Sequence, residues 1–150
     1  MNEHSFIKAV HRKLPSDVYR WKIHDTYTGG VPDTWYAGPA GTLFVEYKYI
    51  QNLPKRPTTE VKSGLSALQI AWLDRMWDYK VVVAVIIGSK VGSLILSDQE
   101  WHKVLKPQDF ETGLKPPDIA DWLCAQVLYR DSDHGNDNPE TFDSRAGTNS

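Results

Sequence analysis

Hydrophobic positions in the first fourteen residues recur at spacings of three and four, which is the period of an amphipathic helix. These positions are Phe6, Ile7, Val10 and Leu14. Pro15 is expected to end the helix, because proline cannot donate the backbone hydrogen bond that would continue it. Between Asp17 and Asp25 the period changes to two, which predicts a strand whose apolar face carries Tyr19, Trp21 and Ile23.

The next segments predict a hairpin. Gly29-Gly30 indicates a turn, and Pro32 opens a short strand at residues 33–36. A tight connection at residues 38–41 leads into a longer strand at residues 42–50. Because side chains alternate along a strand, the longer one places four residues on the same face: Phe44, Glu46, Lys48 and Ile50.

Beyond the hairpin, helical and extended patterns alternate. Residues 51–64 contain two prolines and three basic residues, and we expect a mobile basic loop. Residues 66–79 repeat hydrophobic positions at helical intervals behind Ser66, a favourable N-cap. Residues 80–87 form a β-branched run typical of a strand buried on both faces. The remaining predicted elements are a strand at 91–96 and helices at 97–105 and 116–130.

The predicted element order is α-β-β-β-α-β-β-α-α, which favours an α/β fold with a mixed sheet flanked by helices. A chain of 150 residues is enough for one domain with its own core, which we place at residues 1–130. Residues 131–150 contain five acidic side chains, one basic side chain and a single hydrophobic anchor, Phe142. We expect this segment to be a disordered acidic tail.

Composition narrows the possible functions. The single cysteine, Cys124, excludes an internal disulfide and argues against a structural zinc site. The N-terminus lacks the apolar segment of a signal peptide, and the longest apolar run, residues 81–87, is far shorter than the roughly 20 residues that span a bilayer. We therefore expect a cytoplasmic protein that is not bound to a membrane.

The formal net charge of −2 conceals an uneven distribution. Without residues 131–150 the chain has sixteen basic and fourteen acidic side chains, a net charge of +2. Residues 1–62 have nine basic and six acidic side chains. This mild basic bias is compatible with nucleic-acid binding, although an ordinary solvated surface explains the same numbers.

Three residues of the predicted hairpin carry candidate chemistry. Glu46 and Lys48 project from one face of a strand, and Asp33 begins the neighbouring strand, so both carboxylates can approach one point. Burying two acids and a lysine is costly unless a cation compensates them, and such hard oxygen ligands suit Mg²⁺ or Mn²⁺. A divalent ion there would activate water and neutralise charge on a phosphodiester, and Lys48 would stabilise the developing negative charge. The alternative is a solvated strand face beside an ordinary turn residue.

These segments resemble the PD-(D/E)XK nuclease superfamily, whose core is the restriction-endonuclease-like fold. The matching residues are Gly30-Val31-Pro32-Asp33 and Val45-Glu46-Tyr47-Lys48. Residues 65–73, LSALQIAWL, are similar to a segment of the VRR-NUC branch, which is related to archaeal Holliday junction resolvases and common as stand-alone phage proteins. The resemblance covers roughly residues 3–87, and the chain lacks the Val-Arg-Arg triplet of that branch.

The resemblance implies a role for each matching residue. Asp33 and Glu46 would bind the metal together with the carbonyl of Tyr47, and Lys48 would be the catalytic lysine. The remaining two implied positions are Glu3, the N-terminal acid near the metal or its waters, and Gln69, near the metal or the lysine. Their alternatives remain open: Glu3 as an acid favoured by the helix dipole, and Gln69 as a solvent-facing helix residue.

Basic residues near the predicted site are candidates for contacts with DNA phosphates, which give affinity without sequence information. They are Lys55, Arg56 and Lys62 in the loop after the long strand, and Lys8 and Arg12 on the first helix. The alternatives are a flexible surface loop and, for the helix, bases favoured by its C-terminal dipole.

The sequence therefore favours a Mg²⁺-dependent DNA endonuclease, with Mn²⁺ able to substitute, in a bacterium or a phage-infected cell. Branched DNA such as a Holliday junction is the expected substrate, and cutting two opposed strands implies a C2 homodimer. No glycine-rich phosphate loop is present, so no nucleotide cofactor is expected. Two alternatives stay open: a nicking or degradative nuclease without junction preference, and a non-catalytic DNA-binding subunit on a nuclease scaffold.

Overall fold

The computed structural model describes residues 1–25, 27–111 and 113–129. The predicted acidic tail, residues 131–150, lies outside the described residues. Within them, the elements in chain order are α1 (Glu3–His11), β1 (Tyr19–Lys22), β2 (Thr34–Gly38), β3 (Gly41–Ile50), α2 (Ala67–Asp78), β4 (Val83–Ser89), β5 (Leu94–Leu96), a 3₁₀ turn (Glu100–His102), α3 (Pro107–Glu111) and α4 (Pro116–Val127).

The strands form one mixed sheet in the order β1-β2-β3-β4-β5. β1, β2 and β3 are an antiparallel meander, and the β2–β3 hairpin closes at the Gly38–Gly41 pair, as the sequence predicted. β3 and β4 are parallel and connected through α2, whereas β4 and β5 are antiparallel. The predicted α/β fold with a mixed sheet is thereby confirmed.

Helix starts are set by local capping. The side chain of Asn2 accepts a hydrogen bond from the Ser5 N–H at 2.9 Å, and the Asn2 N–H donates back to Ser5 Oγ at 2.9 Å. α2 begins the same way, with Ser66 as the predicted N-cap and Gln69 as its partner. None of the helices in the described ranges is long and apolar enough to cross a membrane.

The sheet separates two hydrophobic clusters. One lies under α1 and α4; its fully buried members include Val10, Tyr36, Val45, Tyr47, Ile119, Leu123 and Val127. The other lies under α2 and the segment after β5; its buried members include Leu73, Val85, Ile87, Trp101, Leu105 and Phe110. β4 is buried on both faces, as predicted from its β-branched run. Glu46 and Lys48 project toward the α2 side.

The segment between β5 and α4 differs from the sequence prediction. The helix expected at residues 97–105 is a single 3₁₀ turn, and the short helix α3 was not predicted. By contrast, residues 51–64 form a loop without helix or strand, as predicted, and Val61 joins it to the core: Val61 is buried, and its N–H donates to the Leu105 carbonyl at 2.7 Å. α4 matches the helix predicted at residues 116–130, and its apolar face completes the first cluster.

Candidate metal site on the hairpin

The register of the hairpin brings the two predicted carboxylates together. Thr34 pairs with Val45, so one position further along the same ladder Asp33 lies opposite Glu46. Asp33 Oδ2 also accepts a hydrogen bond from the Tyr47 N–H at 3.2 Å, which fixes the acid against β3 next to Glu46. The approach that the sequence predicted for Asp33 and Glu46 is therefore present in the fold.

Glu46 is the most unusual group of the site. It is only 2% exposed, and its Oε1 is a buried oxygen without a hydrogen-bond partner among the described residues. Its Oε2 lies 3.7 Å from Lys48 Nζ. Burial raises the pKa of Glu46 to about 8, and the neighbouring Asp33 charge adds to the rise. A buried, incompletely paired carboxylate is costly, and a bound cation would remove that cost.

The donor set fits a divalent cation with oxygen ligands. Two adjacent carboxylates and backbone oxygens suit Mg²⁺, which usually keeps several waters and takes only one or two carboxylates. Across the described parts of the chain, no group of three or more His, Cys, Asp and Glu side chains is gathered closely enough to hold a metal ion. The site is thus a two-carboxylate arrangement, and the carbonyl of Tyr47 stays a predicted ligand.

Glu3 lies at the margin of this site. It occupies the first turn of α1, and its side chain is largely exposed. Partial burial and the Asp33 charge raise the pKa of Glu3, while Lys48 and Lys22 lower it. Glu3 therefore shares the electrostatic field of Asp33 and Lys48 without joining a tight cluster, and its role near the metal stays a prediction.

Lys48 is held in a partly exposed position beside the two acids. Its side chain is 21% exposed. Gly64 passes alongside it, with φ +85° and with the position of an added Cβ 3.7 Å from Lys48 Cδ. The ammonium group is thus available to solvent and to a ligand at the mouth of the site.

Gln69 has a structural task that the sequence interpretation missed. Its Oε1 accepts a hydrogen bond from the Ser66 N–H at 2.9 Å, and its own N–H donates to Ser66 Oγ at 3.1 Å. Ser66-Ala67-Leu68-Gln69 is the capping-box pattern, a signal that could have indicated this role. The involvement of Gln69 in chemistry stays a prediction.

The glycines before Asp33 do more than form a turn. Gly30 has φ +87°, and a Cβ there would lie 2.4 Å from the carbonyl oxygen of Leu68 in the first turn of α2. The backbone of this segment therefore packs directly on α2. Close approach at Gly30 holds the start of β2, and with it Asp33, against the helix.

The five residues predicted to contact phosphates all have exposed side chains. Lys62 is 85% exposed and pairs with Glu60 at 3.3 Å. Within the described ranges the other four form no ion pair; they are Lys8, Arg12, Lys55 and Arg56. Surface exposure suits phosphate contacts, and a role in DNA binding stays a prediction for all five.

A buried hydrogen-bonded chain on the opposite face of the sheet was not predicted. His11 Nε2 lies 2.7 Å from the Tyr36 hydroxyl, which lies 2.6 Å from the Tyr47 hydroxyl. Burial, followed by the charge of Arg20, lowers the pKa of His11 to about 4, so this ring is neutral at pH 7. The chain fixes Tyr47, whose backbone N–H in turn binds Asp33.

Comparison with known proteins finds a similar fold but no similar sequence. No family model matches the sequence, and no curated protein matches it. The structure is similar to that of Hjc, a Holliday junction resolvase from the archaeal hyperthermophile Archaeoglobus fulgidus. The TM-score is 0.50 at 12% sequence identity, over 79% of this chain and 96% of that chain. The mixed sheet with flanking helices is therefore an α/β fold that matches the fold of Hjc.

Proposed function

We propose that this chain is a divalent-metal-dependent endonuclease that hydrolyses phosphodiester bonds in DNA and acts on branched DNA. The observation that carries the proposal is the pairing of the half-buried Asp33 with the buried Glu46, beside Lys48, where Glu46 Oε1 has no hydrogen-bond partner among the described residues. The similarity in fold to a Holliday junction resolvase supports the choice of branched DNA.

Each residue of the proposed site has a separate task. Asp33 and Glu46 would hold the cation, which would supply Lewis-acid activation of water and neutralise phosphate charge. Lys48 would face the scissile phosphate and stabilise the negative charge that develops there. Asp33 is oriented by the Tyr47 N–H, and Tyr47 is oriented by Tyr36 and His11. Mg²⁺ is the proposed ion, with Mn²⁺ as a substitute.

The proposal is tested by incubating the purified chain with four DNA substrates: a four-way junction, a nicked duplex, a single strand and a linear duplex. We expect cleavage in Mg²⁺ or Mn²⁺, none in EDTA, and faster cleavage of the junction than of the linear duplex. Equal rates on all duplex forms would favour a degradative nuclease. Binding without cleavage in either metal would leave only a DNA-binding subunit.

Lys48→Ala provides the matched active-site control. Removal of the ammonium should reduce the cleavage rate by about 100-fold or more, since electrostatic stabilisation of a transition state is commonly worth that much. DNA binding and thermal unfolding should stay close to wild type, because the side chain is partly exposed and its paired acid can still be neutralised by the metal. A variant that still cuts at the wild-type rate would show that the site has been misassigned.

The proposed assembly is a C2 homodimer, because two opposed strands of a junction need two sites. Analytical ultracentrifugation with and without junction DNA measures the assembly directly. A monomer in both conditions, together with efficient paired cleavage, would contradict this part of the proposal.

A further inference from the structure

A row of aromatic side chains begins next to the candidate metal site, on the same face of the sheet. It consists of Tyr19 and Trp21 on β1, Trp35 on β2, Phe44 on β3 and Trp72 on α2; we call it the aromatic row. Trp35 is the hub, with ring centroids 6.0 Å from Tyr19, 6.3 Å from Trp21 and 6.4 Å from Phe44. Phe44 and Trp72 are 5.4 Å apart at 71°.

The outer half of the aromatic row is open to solvent. Tyr19 is 59% exposed and Trp21 is 52% exposed. Beside them lies a shallow cavity of about 460 Å³, whose lining includes Trp21, Ile23, Val31, Phe44 and Trp72. Grouped exposed aromatic surface of this kind marks a binding surface, because core packing alone would have buried the rings.

The position of the row relative to the carboxylates limits what can bind there. Trp35 follows Asp33 by two positions on β2, and Phe44 precedes Glu46 by two positions on β3. Two positions along a strand are roughly 6.6 Å. A DNA strand with one phosphate at the carboxylates therefore places a base within a few nucleotides of the cut against the row.

Resting on the proposed function, we propose that the aromatic row stacks unpaired bases next to the phosphate that is cut. Bases inside a duplex are covered by their neighbours, so only unpaired bases can offer a free ring face to Trp and Tyr. Among branched DNA substrates, one that carries unpaired nucleotides next to the cut, such as a single-stranded flap, is then expected to bind more tightly than the same branch without them.

A second copy of the chain is the competing occupant of the aromatic row. The row and the carboxylates occupy the same face of β2 and β3. A second copy seated on the row would therefore obstruct the access of DNA to Asp33 and Glu46. A DNA strand with unpaired bases could contact the carboxylates through a phosphate and the aromatic row through a base at the same time. This favours unpaired bases over a second copy of the chain.

The test measures equilibrium binding with Ca²⁺ as the divalent ion. The probes are a duplex carrying a single-stranded flap, with 2-aminopurine as its first unpaired base, and the same duplex without the flap. Trp21→Ala should weaken flap binding by roughly 5- to 100-fold, the range for loss of one stacked base, and should lessen the quenching of 2-aminopurine. Binding of the flapless duplex should change less than about twofold.

Two further variants act as controls. Trp21→Phe keeps an aromatic face and should retain most of the flap affinity. Trp77→Ala removes another partly exposed tryptophan, 37% exposed near the end of α2 and outside the row, and should leave both probes unaffected. Because Trp21 and Trp77 are both partly exposed, Trp21→Ala, Trp21→Phe and Trp77→Ala are all expected to fold. Circular dichroism and thermal unfolding verify this.

The outcomes separate this inference from the proposed function. Equal loss on both probes, or no loss on either, overturns base stacking. A change in sedimentation with unchanged DNA binding assigns the row to contacts between copies and also overturns it. If the wild-type chain cuts no DNA but Trp21→Ala still weakens flap binding, the stacking of unpaired bases is supported and the nuclease proposal fails. If the chain cuts DNA but Trp21→Ala does not change flap binding, the nuclease proposal is supported and base stacking fails.

Discussion

Glu46 is the residue on which the proposed chemistry of the hairpin depends. Its carboxylate is buried, with one oxygen lacking a hydrogen-bond partner among the described residues and the other 3.7 Å from the Lys48 ammonium group. The raised pKa of Glu46, about 8, means that the folded protein retains a proton that the unfolded chain releases near pH 4.5. Folding stability without metal is therefore linked to pH through this one group.

The effect of Glu46 on folding stability should change with pH. Between the unfolded and folded pKa values the folded state binds more protons, so the contribution of Glu46 is fully present below pH 4.5 and is lost as pH rises through 8. We expect Glu46→Gln to become more stable relative to wild type as pH rises from 5 to 9, by about 2–4 kcal/mol over that interval. Urea unfolding in EDTA at several pH values measures the difference.

Glu60→Gln is the matched control for Glu46→Gln. Glu60 is a surface acid, 54% exposed and paired with Lys62, so its substitution should give a difference that does not grow with pH. Adding Mg²⁺ at pH 8 should raise the melting temperature of wild type and of Glu60→Gln but not of Glu46→Gln. A similar shift in all three proteins would place the metal elsewhere.

His11 provides a second pH dependence with the opposite sign. The pKa of His11 is lowered from 6.5 to about 4, so the unfolded chain binds the extra proton and stability is lost as pH falls through this interval. Since the ring is only partly buried, we expect a loss of about 1–2 kcal/mol between pH 7 and pH 4. His11→Gln, which keeps a hydrogen-bonding group without titrating, should remove this portion of the acid sensitivity in chemical denaturation.

Sequence alternation was enough to predict which carboxylates meet, but not their environment. Asp33 and Glu46 approach because a short hairpin and a period of two fix their register. The orphaned Glu46 oxygen and the His11–Tyr36–Tyr47 chain depend instead on what packs above and below the sheet. Those contacts join residues distant in sequence, and no local pattern encodes them.

At the level of elements, the segment before β2 and the start of α2 act as one unit. Gly30 packs so closely on the Leu68 carbonyl that there is no room for a side chain at this position. α2 in turn connects the parallel strands β3 and β4. The position of Asp33 is therefore coupled to the position of α2. Movement of this helix would shift one carboxylate relative to the other.

Paired alanine substitutions at the two adjacent glycines test this coupling. Gly30→Ala combines a positive φ with a backbone clash at 2.4 Å, and should cost at least about 2 kcal/mol and reduce metal-dependent cleavage. Gly29→Ala meets only Leu68 Cδ1 at 2.9 Å, on a side chain that is 64% exposed and can move, and should cost less than about 1 kcal/mol. Urea denaturation measures the free energy of unfolding of both variants. Equal losses of stability would disprove the close packing of Gly30 on α2.

The predicted elements were accurate where their determinants are local and wrong where they are not. The hairpin, the N-cap at Ser66 and the buried strand β4 follow from turn residues, capping and composition. The segment after β5 is shaped by distant contacts, such as the Trp101 Nε1–H that donates to Asp74 Oδ1 at 2.8 Å. Its own sequence favours no regular element strongly, so α2 and the sheet determine its course.

For the molecule as a whole, α4 determines where the domain can be shortened. Ile119, Leu123 and Val127 are completely buried in the first cluster, and the Ala40 N–H in the hairpin turn donates to the Val127 carbonyl at 2.7 Å. The last described helix is thus part of the same core as α1, β2 and β3.

Two truncations test the predicted domain boundary. Removing residues 131–150 should leave the melting temperature within about 2 °C of the full chain, since both described hydrophobic clusters are built from residues before this segment. It also changes the formal net charge from −2 to +2, so DNA affinity at low salt should rise. Truncation after residue 115 removes α4 and should abolish cooperative unfolding in calorimetry. A folded shorter fragment would show that α4 is dispensable.

The hydrogen bond between Ala40 and Val127 joins residues far apart in the chain, which has a consequence for folding during synthesis on the ribosome. Domains fold from the N-terminal side as the chain emerges, and a hairpin of neighbouring strands is complete early. Its turn, however, obtains this partner only after almost all of the described chain has left the exit tunnel. Nascent chains would therefore carry Asp33 and Glu46 on an unfinished core until α4 is added.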